Sequence, residues 1–166
     1  MKTKIGITTL LLLLVCTSAK ARSWRGIEPL HSTRADVERL LGSKVVRCGG
    51  SACIYELAEE IAFILYASDS SCKNDSAESA WKVPVGTVIE IGIHFKRDKP
   101  ISELEFDLTK FEKVEDKHIR GLVYFVNADE GLRVEAGLST VRGVTYFQSS
   151  KDSYLRCPAV NNRVKP

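Results

Sequence analysis

Helical periodicity is confined to one short stretch of this 166-residue sequence, His31 to Gly42, and strand-like patterning dominates the chain beyond it. Thr33 and Asp36 stand at the spacing of a capping box, in which each side chain satisfies a backbone N–H at the helix start. Val37, Leu40 and Leu41 fall at i, i+3 and i+4 and share one helix face. Gly42 supplies the left-handed residue that commonly ends a helix. One helix of this length builds neither a bundle nor a strand–helix alternation. The chain must therefore bury its apolar residues against a sheet.

The strands read as short runs separated by turn residues. Strand-like sequence follows the helix directly, and Gly49-Gly50-Ser51-Ala52 turns the chain between two strand ends. Cys53–Leu57 and Ile61–Tyr66 form a hairpin around Ala58-Glu59-Glu60. Ala67 to Ala80 is a polar surface loop, in which Asn74-Asp75-Ser76 matches a glycosylation acceptor by chance. Thr87–Phe95 is the clearest strand, with Ile89, Ile91, Ile93 and Phe95 on one face and Glu90, Gly92 and His94 on the other. Ile101–Leu108 alternates Leu104, Phe106 and Leu108 with Glu103, Glu105 and Asp107, and predicts a further strand. Thr109–Arg120 is charged and unpatterned and predicts a connection; Lys96-Arg97-Asp98-Lys99 predicts a turn. Gly121–Val126 is apolar on both faces and predicts a central or well-covered strand. Asn127 to Gly131 marks a hairpin turn with Gly131 at positive φ, and Leu132–Ala136 and Val141–Phe147 complete the set. The fold class expected is α+β, one short N-terminal helix packed on a mainly antiparallel sheet.

Residues 1–21 have the layout of a secretory signal peptide. Lys2 and Lys4 form a basic start, Ile5–Val15 an apolar run, and Ala19-Lys20-Ala21 a small-x-small cleavage pattern. The run is shorter than the roughly 17–25 residues of a membrane-spanning helix, so the mature chain is expected to lack an integral span. A lipoprotein cleaved before Cys16 is the alternative, and Val15 fits it poorly, because that processing wants a small residue there. Removal of Lys2, Lys4 and Lys20 turns 24 basic against 21 acidic side chains into 21 against 21. The basic balance belongs to the signal and gives no support to nucleic-acid binding. Residues 22–166 then form a single α+β domain, with a flexible tail expected after Pro158.

Four cysteines lie beyond the signal: Cys48, Cys53, Cys72 and Cys157. An even count behind such a signal favours disulfides over metal or thioredoxin-type chemistry, and three pairings are open. The preferred pairing is Cys48–Cys53, around the glycine turn, with Cys72–Cys157 tying the loop to the C-terminus. Chain entropy would make the long bridge worth about 4–5 kcal/mol and the short one roughly 2.

Chemistry-bearing residues do not form a motif. His31, His94 and His118 lack metal-ligand spacing. Ser51 lacks the order of a nucleophile elbow. Glu103, Glu105 and Asp107 read as a solvated strand face, although buried carboxylates in such a row would suit acid–base work. Neither a phosphate loop nor a dinucleotide fingerprint is present, so no cofactor is expected. Trp24 and Trp81 lie in loop-like sequence, where they either face a partner or close the ends of the core.

Arg34-Ala35-Asp36-Val37-Glu38-Arg39-Leu40-Leu41-Gly42 resembles the signature of SmpA/OmlA-type envelope proteins, in which a capped segment ends in Val-x-x-Leu-Leu-Gly and leads into strands. The resemblance implies the helix-then-antiparallel-sheet arrangement of the β-lactamase-inhibitor-like fold group, and it transfers no functional residue. Those proteins carry a clear lipidated cysteine, for which Cys16 has poor context here, and the inhibitor-like fold often begins with two helices where this sequence shows one. The opening Trp24-Arg25-Gly26-Ile27-Glu28-Pro29-Leu30-His31 and the close Tyr154-Leu155-Arg156-Cys157 resemble small uncharacterised secreted bacterial proteins, a likeness that implies no function. The sequence thus reads as a non-enzymatic secreted or periplasmic domain that binds an envelope or secreted protein. A small extracytoplasmic hydrolase, and an inhibitor inserting its Cys48–Cys53 loop into a secreted enzyme, are the alternatives. No catalytic, cofactor-binding or metal-ligating residue is assigned.

Overall fold

A computed structural model describes residues 23–42, 45–69, 72, 80–137 and 139–158. The signal segment, Asn74 and the tail past Pro158 lie outside them. Helix α1 spans Arg34–Leu41 with its ends as the residue types dictate. The Thr33 and Asp36 side chains each satisfy the other's backbone N–H. Gly42 ends the helix at φ 66°. Val37 and Leu41 are buried, but Leu40 is exposed and stands over Gly26.

The strands are β1 (Val45–Gly49), β2 (Ala52–Glu56), β3 (Glu60–Tyr66), β4 (Val88–Pro100), β5 (Glu112–Glu115), β6 (Val123–Asn127), β7 (Leu132–Ala136) and β8 (Thr140–Tyr146). They form one antiparallel sheet in the order β1-β2-β3-β4-β8-β7-β6-β5. Two four-stranded meanders are therefore joined along β4 and β8, and the molecule is mostly β.

This order explains where the strand assignment fails. From β4 at the centre the chain must reach β5 at the far edge, past β8, β7 and β6. Four inter-strand spacings make that roughly 19 Å. Residues 101–111 make the crossing as two 3₁₀ turns, Ile101–Glu103 and Leu108–Lys110, joined by irregular chain, so Ile101–Leu108 is not a strand. Its alternation is nonetheless meaningful. Ile101, Leu104, Phe106, Leu108 and Phe111 pack against the main core, while Glu103, Glu105 and Asp107 face water. The supposed connection contains β5, whose four residues are all exposed. An edge strand with no covered face has no reason to alternate. Gly121–Val126 corresponds to β6, next to that edge and half-buried throughout rather than central.

Lys96–Lys99 continues β4 and is not a turn. Between His94↔Gly143 and Lys99↔Val141, β4 advances further than β8, so the charged run is a bulge. It is held by Thr140 Oγ1 donating to Asp98 at 3.1 Å and by Lys99 Nζ lying 4.5 Å from the Phe95 ring centroid. A second register shift, between Leu65 and Tyr66, splits the expected isoleucine face. Ile91, Ile93 and Phe95 join the main core, and Ile89 joins a smaller cluster with Leu30, Ala67, Trp81 and Val83.

The main core combines Cys53, Tyr55, Ala62 and Ile64 from β2 and β3 with Leu132, Val134, Val141 and Val144 from β7 and β8. Val37 and Leu41 of α1 and Trp24 and Ile27 of the N-terminal turn belong to the same cluster. Tyr55 and Tyr66 are fully buried, and their hydroxyls satisfy each other at 3.1 Å. Burial and that hydrogen bond push the Tyr66 phenol far above its usual titration range.

Candidate functional site

Glu103 and Glu105 line one cleft with Glu60, and neither His94 nor His118 joins them there. His94 and His118 are exposed, as are Glu103 and Glu105. Asp107 caps the turn at Leu108–Lys110, and hydrogen bonds from Thr109 hold its carboxyl below the usual range. Among the described residues no three His, Cys, Asp or Glu side chains group to hold a metal ion. None of Glu103, Glu105 and Asp107 is buried.

One Ser–Asp–His constellation does form, from residues far apart in sequence. Ser149 donates its hydroxyl to Asp152 Oδ2 at 2.7 Å, and His31 Nε2 lies 3.2 Å from Asp152 Oδ1. The carboxylate sits between hydroxyl and imidazole, so the imidazole is not placed to take the serine proton. A hydrolytic relay needs the imidazole in the middle. Ser149 and Asp152 are instead the capping box of a 3₁₀ helix, Ser150–Leu155. Burial pushes the Asp152 carboxyl up, but hydrogen bonds from Ser149 and His31 outweigh it and leave it below its ordinary value.

The cysteines pair as Cys48–Cys53 and Cys72–Cys157. The first pair lies directly across β1 and β2, with Cα atoms 4.1 Å apart. The turn between these strands is only Gly50-Ser51, with Gly50 at φ 59°. The tip carries a single side chain, the half-buried Ser51.

Trp24 and Trp81 are 7% and 4% exposed. Each packs into one of the two clusters, Trp24 into the main core and Trp81 into the smaller one. Trp24 belongs to a tight turn in which it and Ile27 exchange backbone hydrogen bonds at 2.8 and 3.0 Å. Arg25, inside that turn, has φ 52°, an uncommon value for a side-chain-bearing residue. Its guanidinium reaches buried Glu60 at 2.9 and 3.1 Å, a contact 35 residues distant that no local pattern announces. A cleft of about 390 Å³ opens beside it, walled by Trp24, Glu60, Phe95, Leu104, Phe106 and Tyr146. Of its charged groups, Glu60 is held by Arg25 and Lys99 lies against the Phe95 ring, while Glu103 and Glu105 line it as well.

The outer sheet face is arranged differently. Register partners place Arg47, Ile54, Phe63, Gly92, Thr145, Arg133, Val126 and Glu112 in one row across all eight strands. Phe63 is 47% exposed beside Ile54. Arg133 donates to Thr145 Oγ1 at 3.4 Å and lies over the Tyr124 ring. The next row brings His94, Gly143 and Glu135 together. Phe63, His94, Glu135 and Thr145 thus wall a groove of about 380 Å³ floored by Gly92 and Gly143.

The two glycines have different reasons to be there. A side chain on Gly143 would collide with the Ile93 carbonyl oxygen, so the fold requires glycine. A Cβ on Gly92 would meet only the Phe63 side chain and carbonyl, at ordinary distances of 3.8 and 3.9 Å. Gly92 has no positive φ either. Glycine inside a strand weakens it and often marks the approach of a ligand or another backbone. Strand alternation alone puts Gly92 and His94 on the polar face; it gives no sign of the exposed Phe63 next to them. No family model, curated protein or solved structure matches this chain.

Proposed function

We propose that this protein is an extracytoplasmic binding domain that engages a partner protein on its outer sheet face, at the groove between Phe63 and Thr145. The partner lays an apolar side chain over Gly92 and against the Phe63 ring. Gly92 carries this reading, because the fold has no steric need for glycine there and the vacancy adjoins an exposed aromatic ring. Arg133, His94 and Glu135 give the groove a polar rim, the usual setting of an apolar anchor. Two disulfides, and the absence of any described helix long and apolar enough to cross a membrane, are compatible with export by the N-terminal segment. In this reading α1 covers the inner side and takes no part in recognition.

A photo-reactive phenylalanine at position 63, introduced in the producing cells, tests the proposal. It should give one adduct of defined mass, lost when Gly92→Leu fills the groove. Equal labelling from exposed Lys151, or an adduct indifferent to Gly92→Leu, would overturn it.

A further inference from the structure

Arg34, the first residue of α1, reaches across to the hairpin disulfide. Its Nη1 lies 3.2 Å from Cys53 Sγ and 3.9 Å from Cys48 Sγ. The guanidinium is held over the Tyr66 ring, 4.2 Å from its centroid, and the Arg34 backbone N–H is fixed to the Gly86 carbonyl at 2.9 Å. The cation is therefore positioned by the fold rather than swinging in solvent. The two sulfurs differ in access: Cys53 is fully buried, and Cys48 lies on exposed edge strand β1. Thiol–disulfide exchange needs one reachable sulfur and a leaving thiolate whose charge is stabilised. A neighbouring Arg or Lys supplies that stabilisation by lowering the thiol pKa.

We infer that Cys48–Cys53 is a site of thiol–disulfide exchange with a dithiol reductant, in which Cys48 is attacked and Cys53 leaves. An external thiolate bonds to Cys48 Sγ while the Cys48–Cys53 bond breaks. The electron pair goes to Cys53 Sγ, beside the Arg34 guanidinium. The reductant's second thiol gives up its proton and attacks its own sulfur in the mixed disulfide. This releases Cys48 as a thiolate, which takes up a proton. Two electrons pass to the protein, and the reductant becomes a disulfide. The spacing of Cys48 and Cys53 is not that of a thioredoxin-type motif; the strand pairing brings the sulfurs together instead. This inference does not depend on the partner groove, which lies on the other face.

The test exposes the full chain to dithiothreitol, and separately to a reduced Cys-x-x-Cys oxidoreductase, with acid quenching, alkylation and mass mapping. Cys48 and Cys53 should become alkylated at least about tenfold faster than Cys72 and Cys157. Arg34→Met should slow that step by about tenfold, and Arg34→Lys, which keeps the cation, by less. In Cys53→Ser, Cys48 should react with 5,5′-dithiobis(2-nitrobenzoate), keeping one half as a stable mixed disulfide and releasing the other as 5-thio-2-nitrobenzoate, whereas Cys48→Ser should leave Cys53 unreactive. Earlier opening of Cys72–Cys157, equal rates for wild type and a folded Arg34→Met, or preferential labelling of Cys53 would overturn the inference. Should Arg34→Met fail to fold, Arg34→Lys and the two serine variants decide.

Discussion

On the inner face of the central strands, Ile91, Ile93, Val134 and Val144 lie in one buried cluster, sealed by the N-terminal turn and by residues 101–111. On the outer face the same strands present Gly92, His94, Glu135 and Thr145, half-buried or exposed, beside an exposed Phe63. The inner face is filled by volume matching, so nearly every side chain there has a packing reason. The outer face has a position, Gly92, that packing leaves open. A residue without a packing reason is where function is best sought, and the contrast can be tested residue by residue.

Removing inner-face volume should have the largest effect. Ile64→Ala, at a site 1% exposed, should cost about 2–5 kcal/mol, read from urea denaturation. A cost below about 1 kcal/mol would mean the inner face is loosely packed. Its neighbour Phe63, changed to Ser, should move stability by no more than about 0.5 kcal/mol while removing partner adducts.

Next comes the floor of the groove. Gly143→Ala should cost about 1–3 kcal/mol, because the new methyl group must displace the Ile93 carbonyl. The buried cap near the C-terminus should rank after it. Asp152→Ala should cost about 1–2 kcal/mol by melting the capping box. The Asp152 carboxyl titrates below its ordinary 3.8 in the folded chain. Its contribution is therefore complete above about pH 4 and is lost as the pH falls through the folded value. The urea midpoint should fall less steeply between pH 5 and 3 in Asp152→Ala than in the wild type. Asp36, whose capping box and Arg39 bring its carboxyl to about 2, should add to the acid loss at still lower pH.

The smallest effect has the opposite sign. Gly92→Ala should stabilise the fold by about 0.5–1 kcal/mol, because the methyl fits and the unfolded chain loses freedom. A clear loss of stability in thermal melts would show that Gly92 serves the fold and would remove the contrast between the faces.

Features that act over a few residues were legible in the chain. The Thr33–Asp36 box, the Gly42 stop, the Cys48–Cys53 turn and the positive φ of Gly131 each arise from local geometry, and each is present. Residues 101–108 misled because alternation records which side chains meet the core, not whether the backbone pairs. A chain crossing over a sheet alternates as a strand does. Strand β5 was hidden for the converse reason: it pairs without a buried face. Of the groove, Gly92 and His94 fall on the polar face by alternation alone, but the exposure of Phe63 depends on three strands meeting.

By itself the sequence determined the elements outside residues 96–120: one capped helix, a series of antiparallel hairpins, and cysteines spaced for a turn-bracketing bridge. Short-range hydrogen bonding and side-chain periodicity decide these, and both act within a few residues. Only the tertiary structure decided the strand order, the burial of Trp24 and Trp81, the Arg25–Glu60 pair and the place of Arg34 against the hairpin sulfurs. Each of these depends on which distant surfaces exclude water from one another, and that is settled when the two meanders join along β4 and β8.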